Sequence, residues 1–488
     1  MMKNCSLQSI LADVEIVKIV GNDEKNVVAI DTDSRNIVKD MAFVAIRGVA
    51  VDGHSFIGKA EELGASVVVC EQLPETVNPN VTYVVVKNSV IACGYMLRNF
   101  YGIDFGKLKV VGVTGTNGKT TTATLLYRMF TKLGNKCGLL STVVNYVAQE
   151  EFPSTHTTPD MVQLYSMFDK MQQAGCTYCF MEVSSHAIHQ HRTAGVIYSG
   201  GIFTNLTQDH LDYHKTFAEY LRVKKSFFDD LPANAFALTN EDDRNGLVML
   251  QNTKAQKSTY SLKSMSDFKC RVLEQQFDGM LLKIDGVEVW AKFIGYFNAY
   301  NLLAVYSAAM LLHQDKQRVL EVLSALTPVA GRIEFFKRND NVTAVVDYAH
   351  TPDALENILS TLKALCPKTN KIITVVGAGG NRDKTKRPLM GKICARLSNQ
   401  VIFTSDNPRN EAPADIAQQM LDGVEPQYLP NVITVLDRKQ AIKTATLFAQ
   451  SGDVILIAGK GHEPYQEIQG VKHHFDDREI VKEFFNLQ

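Results

Sequence analysis

The stretch VVGVTGTNGKTTT, residues 110–122, joins a short apolar run to a glycine-containing turn and the start of a helix. Residues 108–113 are rich in β-branched side chains and predict a buried strand. The two glycines of the turn let backbone N–H groups face an anion, and a helix follows from Thr120. Lys119 would reach the terminal phosphates of a nucleotide, and Thr120 would hold magnesium. The stretch therefore predicts a nucleotide-binding strand, loop and helix.

The loop departs from the general phosphate-loop pattern at one position. That pattern has a glycine five residues before Gly118, and Val113 stands there. A glycine-rich turn without a ligand is the alternative interpretation. We favour the nucleotide-binding interpretation, because the strand, the loop, the Lys-Thr pair and the helix follow one another in the expected order.

Composition narrows the class of protein. The 488 residues are enough for about three domains. Formal charge is -1, from 51 basic and 52 acidic side chains, which does not favour binding to nucleic acid or a membrane surface. No targeting segment and no apolar run of ~20 residues is found, so we expect a cytoplasmic protein. Nine scattered cysteines fit reduced thiols, and the lone Cys176-x-x-Cys179 pair predicts neither a metal nor a redox site.

The fold class predicted is α/β, in three domains. Residues 1–106 combine strand-like segments with a helix over 54–63 and form a small α/β unit. Residues 107–330 hold the phosphate loop in a parallel sheet, followed by a small antiparallel annex with turns at Asp278-Gly279 and Asp285-Gly286. Residues 331–488 alternate five apolar strands with helices, which predicts a doubly wound, Rossmann-like sheet.

Ligands bind beyond the carboxyl ends of the strands in such sheets, and the polar clusters of the third domain follow its strands. They are Asp347 with His350, residues 377–382, residues 406–409 and residues 459–463. Arg382 and Arg409 suit bidentate carboxylate binding, which implies an acidic small substrate. Glu463 is a candidate to hold an amine.

Two residues of the second domain suggest a cation site. Glu182 ends the apolar strand YCFMEVSS, where its carboxylate can meet a magnesium ion bound at the phosphate loop; a solvated strand-end glutamate is the alternative. Lys224 falls on the apolar stripe of a helix, so it must be neutral, paired, modified or turned outward along its stem. The histidines at 186, 189 and 191 do not form the HExxH pattern of a zinc hydrolase.

Several segments together resemble the Mur ligases, the amino-acid-adding enzymes of bacterial peptidoglycan synthesis. The segments run over nearly the whole chain and are DSR with DGHSFI, TGTNGKTTT, HTTPD, MEVSSHAIHQHR, FTNLTQDHLDYH with its downstream lysine, FNAYNLLA, GRIE, VDYAHTPD, GGNRDKTKRPLM, DNPRNE and GKGHE. Within the family, the resemblance is to the branch that adds meso-diaminopimelate. HTTP and DNPR are its most specific motifs.

The resemblance implies a role for each matching residue. It implies an ATP site at Gly115, Thr116, Asn117, Gly118, Lys119, Thr120, Thr121, Asn301, Arg332, Asp347 and His350. It implies that the UDP-muramoyl dipeptide is held by Ser34, Val49, Ala50, Val51, Thr157, Thr158, Ser184, Gln190 and Arg192. It implies a diaminopimelate site at Arg382, Asp406, Asn407, Pro408, Arg409, Gly459 and Glu463. Magnesium would be held by Thr120, Glu182, His210 and Lys224, the last carrying a carbamate derived from CO2, and the catalytic residues would be Lys119, Lys224, His210 and Glu182.

The reaction implied is ATP-driven amide formation by a monomer acting on three small molecules. The carboxylate of UDP-N-acetylmuramoyl-L-alanyl-D-glutamate is phosphorylated by ATP with Mg2+, and the amine of meso-diaminopimelate attacks the acyl phosphate. L-Lysine lacks the second carboxylate, so we expect it to leave an arginine unpaired. Three substrates on three domains imply domain closure.

Two rival functions stay open at the level of sequence. A folylpolyglutamate synthetase shares the phosphate loop and the modified lysine, but should lack the DSR domain and DNPR. A non-catalytic nucleotide switch has no need of the cation site formed by Glu182, His210 and Lys224.

Overall fold

The computed structural model of the chain describes residues 3–48 and 51–487. Its three large sheets fall one in each of the three predicted segments. The prediction of a three-domain α/β fold is confirmed. No helix in the described part of the chain is both long and apolar enough to span a membrane.

The first sheet has five strands and is parallel except at one edge. In spatial order its strands are Ile16–Val20, Thr82–Val86, Val67–Cys70, Ala42–Val44 and Ile30–Asp31, and Ile16–Val20 is antiparallel to its neighbour. A separate antiparallel pair is formed by Cys5–Ser6 and Asn26–Val27. The helices are Leu7–Ile10, Ser34–Asn36 (3-10), Gly53–Phe56 (3-10), Ile57–Glu62 and Ser89–Tyr101. The helix expected over 54–63 begins as a 3-10 turn.

The second sheet has eleven strands, with the phosphate-loop strand at its centre. In spatial order they are Glu150–Pro153, Val144–Val147, Cys137–Leu140, Tyr178–Glu182, Lys109–Thr114, Tyr198–Phe203, Phe236–Asn240, Gln256–Ser261, Phe268–Gln276, Gly279–Ile284 and Val287–Ala291. Strand pairs are parallel from Cys137–Leu140 to Phe268–Gln276 and antiparallel beyond. The predicted antiparallel annex therefore extends the central sheet. The helices are Lys119–Lys132, Met161–Gln173, Ser185–His189, Leu211–His214, Phe217–Asp229, Gly246–Met249, Tyr296–Leu311 and Lys316–Ser324.

The third sheet has six strands, of which five are parallel. In spatial order they are Glu334–Lys337, Thr343–Asp347, Val454–Ala458, Ile372–Val376, Gln400–Phe403 and Val432–Thr434, and the first is antiparallel. Tyr465–Ile468 and Val471–His474 form a separate hairpin. The helices are Pro352–Leu365, Lys386–Leu397, Pro413–Leu421, Pro426–Asn431 (3-10), Arg438–Phe448 and Asp477–Phe485.

The helix Phe217–Asp229 packs closely beneath the phosphate loop, and this packing explains how its residue Lys224 reaches the loop. The helix Phe217–Asp229 begins at Thr216, whose side chain accepts a hydrogen bond from the N–H of Glu219. Gly112 lies in the central strand, and a Cβ there would be 2.7 Å from Cζ of Phe227. The helix can approach the strand closely because Gly112 has no side chain, and this brings Lys224 beside the loop.

Candidate active site

The phosphate loop has the conformation that its glycines predict. Gly118 has a φ of +86°, and a Cβ there would lie 2.5 Å from Oδ1 of Asn301. The Lys119 ammonium donates to the carbonyls of Gly115 (2.9 Å) and Thr116 (2.8 Å), folded back over the loop. Burial lowers the pKa of Lys119, against the opposing effect of nearby carboxylates. A bound phosphate would supply the counter-charge that this lysine lacks.

A buried carboxylate lies beside the loop helix. Glu182 is 1% exposed, and its Oε2 accepts a hydrogen bond from the Thr120 hydroxyl at 3.0 Å. Its Oε1 accepts from the N–H (2.7 Å) and the hydroxyl (3.0 Å) of Thr142. Arg332 donates to the Thr120 hydroxyl at 3.3 Å. A hydroxyl and a carboxylate oxygen held together are the donors that Mg2+ prefers, so these residues fit the ion.

Lys224 points inward. It is 1% exposed, and its Nζ lies 2.9 Å from the Gly115 carbonyl and 3.3 Å from the Thr114 hydroxyl. Burial, reinforced by the charge of Lys119, holds the pKa of Lys224 well below its ordinary value. Of the interpretations left open by the sequence, the outward-turned stem is wrong, because the amine is buried and bonded to the loop.

His210 lies on the same side of the loop. Its φ is +55°, and its Nε2 is 3.5 Å from Oδ2 of Asp209. Burial lowers the pKa of His210 to about 3, although Asp209 acts to raise it, so the ring is neutral and a nitrogen is available as a ligand. Among the described residues no three His, Cys, Asp or Glu side chains form a metal cluster. The predicted set contains only two residues of those types, and its other members are a threonine and a lysine.

Two adjoining cavities meet at the loop. The smaller, about 140 Å³, is lined by Lys119, Thr120, Glu182 and His210. The larger, about 580 Å³, lies between the second and third domains and is lined by Asn298, Asn301, Arg332 and Tyr348 among others. Their shared residues include Asn117, Gly118 and His350. A triphosphate in the smaller cavity can therefore continue into a nucleoside in the larger one.

The predicted ATP residues of the third domain line that junction. The guanidinium carbon of Arg332 lies 4.3 Å from the centre of the Tyr348 ring. Asp347 accepts hydrogen bonds from the N–H groups of Ile333 (2.9 Å) and Ala349 (2.8 Å), so it holds the backbone in place. Nδ1 of His350 lies 2.8 Å from the Tyr348 carbonyl, and burial lowers the pKa of this ring to about 4. In the second domain, Asn298 and Asn301 are buried, and the Asn301 amide donates to Oδ1 of Asn298 at 3.2 Å.

The residues predicted for the muramoyl dipeptide fall into two places. Thr158 bonds to the Glu182 carbonyl at 2.8 Å and to Ser184 at 3.4 Å, and Arg192 bonds to Gln190 at 2.9 Å and to the Thr158 carbonyl at 3.3 Å. The Thr157 hydroxyl lies 3.1 Å from the Thr142 hydroxyl, next to Glu182, and can donate to it.

The remaining residues of that set belong to the first domain. Ser34 is buried at the start of a 3-10 turn, and Val51 is 55% exposed. Val49 and Ala50 lie outside the described residues.

The predicted amino-acid residues cluster at the strand ends of the third sheet. A Cβ at Gly379 would lie 3.1 Å from Nη1 of Arg409 and 3.7 Å from Cγ of Arg382, so the two arginines are neighbours. A Cβ at Gly459 would lie 2.5 Å from Oδ2 of Asp406.

The remaining polar residues of this cluster bond to one another. Asn407 donates to Oε2 of Glu463 at 2.7 Å, and the buried Lys460 lies 3.3 Å from the same oxygen. Pro408 is buried beside them, and a Cβ at Gly380 would lie 1.9 Å from its carbonyl oxygen. Glu463 thus already has a cationic partner before any amine binds.

Sequence reasoning missed several residues of the site. Thr142 follows the strand next to that of Glu182, and neighbouring strand ends are a signal that identifies such a residue. Asp353, at the start of a helix, accepts from Asn117 of the loop at 3.0 Å. Lys460 and Glu467 lie within and just beyond GKGHE, and nothing in their spacing predicts their contacts.

A loop that cradles phosphates, a buried carboxylate beside it and a second α/β sheet facing the cleft define a nucleotide-dependent enzyme with a separate small-molecule domain. Three family models match the chain: "Mur ligase family, catalytic domain" over residues 26–101, "Mur ligase middle domain" over 113–309 and "Mur ligase, glutamate ligase domain" over 331–461. The chain belongs to the Mur ligase family.

Close relatives cover the whole chain. A UDP-N-acetylmuramoyl-L-alanyl-D-glutamate–2,6-diaminopimelate ligase of Parabacteroides distasonis is 55% identical over 99% of both chains. The same-named ligase of Phocaeicola vulgatus is 55% identical over 98% of this chain and 99% of the other. A solved structure of a ligase of that name is 31% identical, covers 99% of both chains and has a TM-score of 0.70.

Proposed function

We propose that this protein is an ATP-dependent ligase that joins meso-diaminopimelate to the D-glutamate carboxylate of UDP-N-acetylmuramoyl-L-alanyl-D-glutamate. The product is a cytoplasmic precursor of peptidoglycan. One observation carries the proposal: the phosphate loop, the Thr120–Glu182 pair and Arg332 of the third domain converge on one cleft. The names of the full-length relatives support the choice of substrates.

The first step is transfer of the γ-phosphoryl group to the glutamate carboxylate. Two anions must approach each other, so positioning and charge neutralisation dominate catalysis. Lys119 and Arg332 supply positive charge from the two sides of the cleft. The neutral His210 and the buried Glu182 leave nitrogen and oxygen ligands in place.

Magnesium supplies neutralisation of the triphosphate charge when it is bound. Thr120 and Glu182 would hold one ion at the loop. His210 and Lys224, once Lys224 is converted to a carbamate, would ligate magnesium together with Glu182. The neutral amine of Lys224 is the form that attacks CO2: a C–N bond forms, one proton is released, and the product is an anionic oxygen ligand.

The second step is attack of an amine on the acyl phosphate, with loss of phosphate. The incoming amino acid would be oriented with its amine toward the phosphate loop. The residues that would orient it are Arg382, residues 406–409 and Glu463. Two neighbouring arginines suit an amino acid with two carboxylates. We propose further that the enzyme acts as a monomer. Its nine free cysteines suit a reducing compartment.

The test is a ligation assay with ATP, Mg2+ and the UDP-muramoyl dipeptide across a panel of amino acids, measured as phosphate release and as product mass. Phosphate release that depends on both the dipeptide and meso-diaminopimelate is expected. Turnover with a folate acceptor and glutamate would favour a folylpolyglutamate synthetase. ATP binding without turnover on any acceptor would favour a nucleotide switch.

A further inference from the structure

The hairpin of residues 465–474 packs against the segment Asp406–Arg409. Gln466 donates to the Asp406 carbonyl at 2.7 Å, and the N–H of Glu467 donates to Oδ1 of Asn407 at 2.9 Å. Lys460 donates to the Tyr465 carbonyl. The outer strand, Val471–His474, is exposed along its whole length. The inner strand is therefore part of the wall around residues that we assign to the amino-acid substrate.

The inner strand, Tyr465–Ile468, fixes the backbone of Arg409. The N–H of Arg409 donates to the Glu467 carbonyl at 3.0 Å, and the Arg409 carbonyl accepts from the N–H of Gln469 at 2.8 Å. Arg409 and Ile468 form an isolated parallel bridge. Arg409 has a φ of +51°, which a non-glycine residue keeps only when its surroundings enforce it.

The guanidinium of Arg409 is held on one side. Its Nε lies 3.2 Å from Oε2 of Glu467, and its Nη1 donates to the Gly380 carbonyl at 2.9 Å. The side chains of Arg409 and Glu467 are 19% and 25% exposed, so this ion pair is partly shielded from water. A guanidinium has five N–H groups, and these two contacts leave others for a ligand.

We infer that Glu467 is a positioning residue that aims Arg409 at the far carboxylate of the amino-acid substrate. The inference rests on the proposed function and adds a determinant of its selectivity. A long, mobile side chain loses conformational freedom when it binds a carboxylate, and Glu467 removes that cost in advance. L-Lysine has no second carboxylate, so its binding gains nothing from this orientation.

Glu467 also weakens binding of the substrate, because its negative charge repels a second carboxylate at the same guanidinium. Glutamine at 467 keeps an acceptor oxygen for Nε and removes the charge. Alanine removes both. The two variants therefore separate orientation from repulsion.

The experiment measures KM and kcat for meso-diaminopimelate, L-lysine and ATP in Glu467→Ala and Glu467→Gln. We expect Glu467→Ala to raise KM for meso-diaminopimelate about tenfold, with KM for ATP and kcat/KM for L-lysine within about twofold of wild type. Glu467→Gln should stay within about threefold of wild type. In an Arg409→Ala background, Glu467→Ala should have no further effect.

Glu479→Gln and Glu479→Ala are matched controls, because Glu479 pairs with His474 on the outer strand and is exposed. Both should leave all constants unchanged. The inference would be overturned if Glu467→Ala lost kcat/KM equally for meso-diaminopimelate and L-lysine. It would also be overturned if the KM for meso-diaminopimelate were unchanged in Glu467→Ala.

A crystal structure of Glu467→Ala tests the orientation without any substrate. The guanidinium should leave its contact with Gly380, and an unmoved guanidinium would refute the positioning role. Failure of wild type to use meso-diaminopimelate would instead count against the proposed function alone.

Discussion

Lys224 is a buried amine whose surroundings hold its pKa well below the ordinary value. Replacing it with alanine should abolish ligation, because the carbamate that we propose as a ligand cannot form. Formate should restore part of the phosphate release, since it can place a carboxylate in the space that the side chain leaves. Lys225→Ala is the matched control: this neighbour pairs with Asp229 at 2.6 Å, away from the loop, and its loss should leave turnover intact. A fully active enzyme with an unmodified Lys224 would contradict the prediction.

Arg409 has a partner in the structure that the sequence did not predict. The sequence led us to expect that L-lysine would leave an arginine unpaired, and for Arg409 the structure adds a partner, Glu467, at 3.2 Å. At Arg409, discrimination between meso-diaminopimelate and L-lysine therefore rests on the bonds that the guanidinium gains with the second carboxylate of meso-diaminopimelate. When L-lysine binds, Arg409 keeps its ion pair with Glu467, so the cost of the missing carboxylate is smaller than for an unpaired guanidinium.

Arg409→Ala should raise KM for meso-diaminopimelate by about 30- to 150-fold, or ~2–3 kcal/mol, because a charge-assisted pair is lost. KM for ATP should not change, since Arg409 lies outside the two cavities at the loop. A competition assay with L-lysine measures the preference directly. A preference that survives the substitution would show that Arg409 does not read the second carboxylate.

At the scale of elements, buried parallel strands were predictable, and two exposed strands were not. Thr343–Asp347 and Ile372–Val376 are apolar runs bounded by polar turns, which is the pattern of a strand covered on both faces. Ile16–Val20 lies at a sheet edge, and Val471–His474 is exposed throughout, so neither shows the alternation that one buried face produces. The hairpin beside Arg409 was missed for this reason.

Glu411, in the loop that carries Arg409, forms an ion pair with Arg387 of the helix Lys386–Leu397 and a hydrogen bond with the loop that carries Arg382. Arg387 is fully buried and meets Glu411 through two bonds, at 2.9 and 3.0 Å, and Glu411 also accepts from the N–H of Asn381 at 2.5 Å. Hydrogen bonding to Arg387 lowers the pKa of Glu411 to about 2 from its ordinary 4.5. Because the folded-state pKa is the lower one, this pair stabilises the protein above pH 4.5 and less as pH falls toward 2.

Glu411→Gln should therefore lower the unfolding temperature near pH 7, by the equivalent of about 2–3 kcal/mol for a partly exposed pair with one buried member. The difference from wild type should shrink as the pH is lowered from 6 toward 3, in a series of thermal melts. Glu425→Gln removes an exposed partner of Lys392 and should have little effect at any pH. A difference that does not depend on pH would assign the loss to packing.

At the scale of the whole molecule, the second and third domains have separate cores. Val329 packs in the core of the second domain and Ile333 in that of the third, with Gly331 between them at a φ of +65°. Ile294 of the second domain also packs against the third core, close to this connection. At the mouth of the cleft the contacts are polar: Asn117 to Asp353 at 3.0 Å and Lys386 to Asp209 at 3.8 Å. The sequence predicted three domains, but not which residues meet across the cleft, because such contacts leave no periodic pattern.

This distribution of contacts predicts a hinge near Gly331 with a mouth that opens. Apolar burial near the connection is retained when the domains rotate, whereas the polar contacts at the mouth can exchange with water at little cost. ATP and the UDP-dipeptide would bridge the mouth, because Lys119 and Arg332 lie on its two sides and both need a counter-anion. Small-angle scattering should therefore show a smaller radius of gyration when a non-hydrolysable ATP analogue and the UDP-dipeptide are added together. Lys119→Ala should stay expanded at the same ligand concentrations, since it loses a phosphate contact on one side. Identical scattering curves for wild type with and without saturating ligands would mean that the cleft does not close on its substrates.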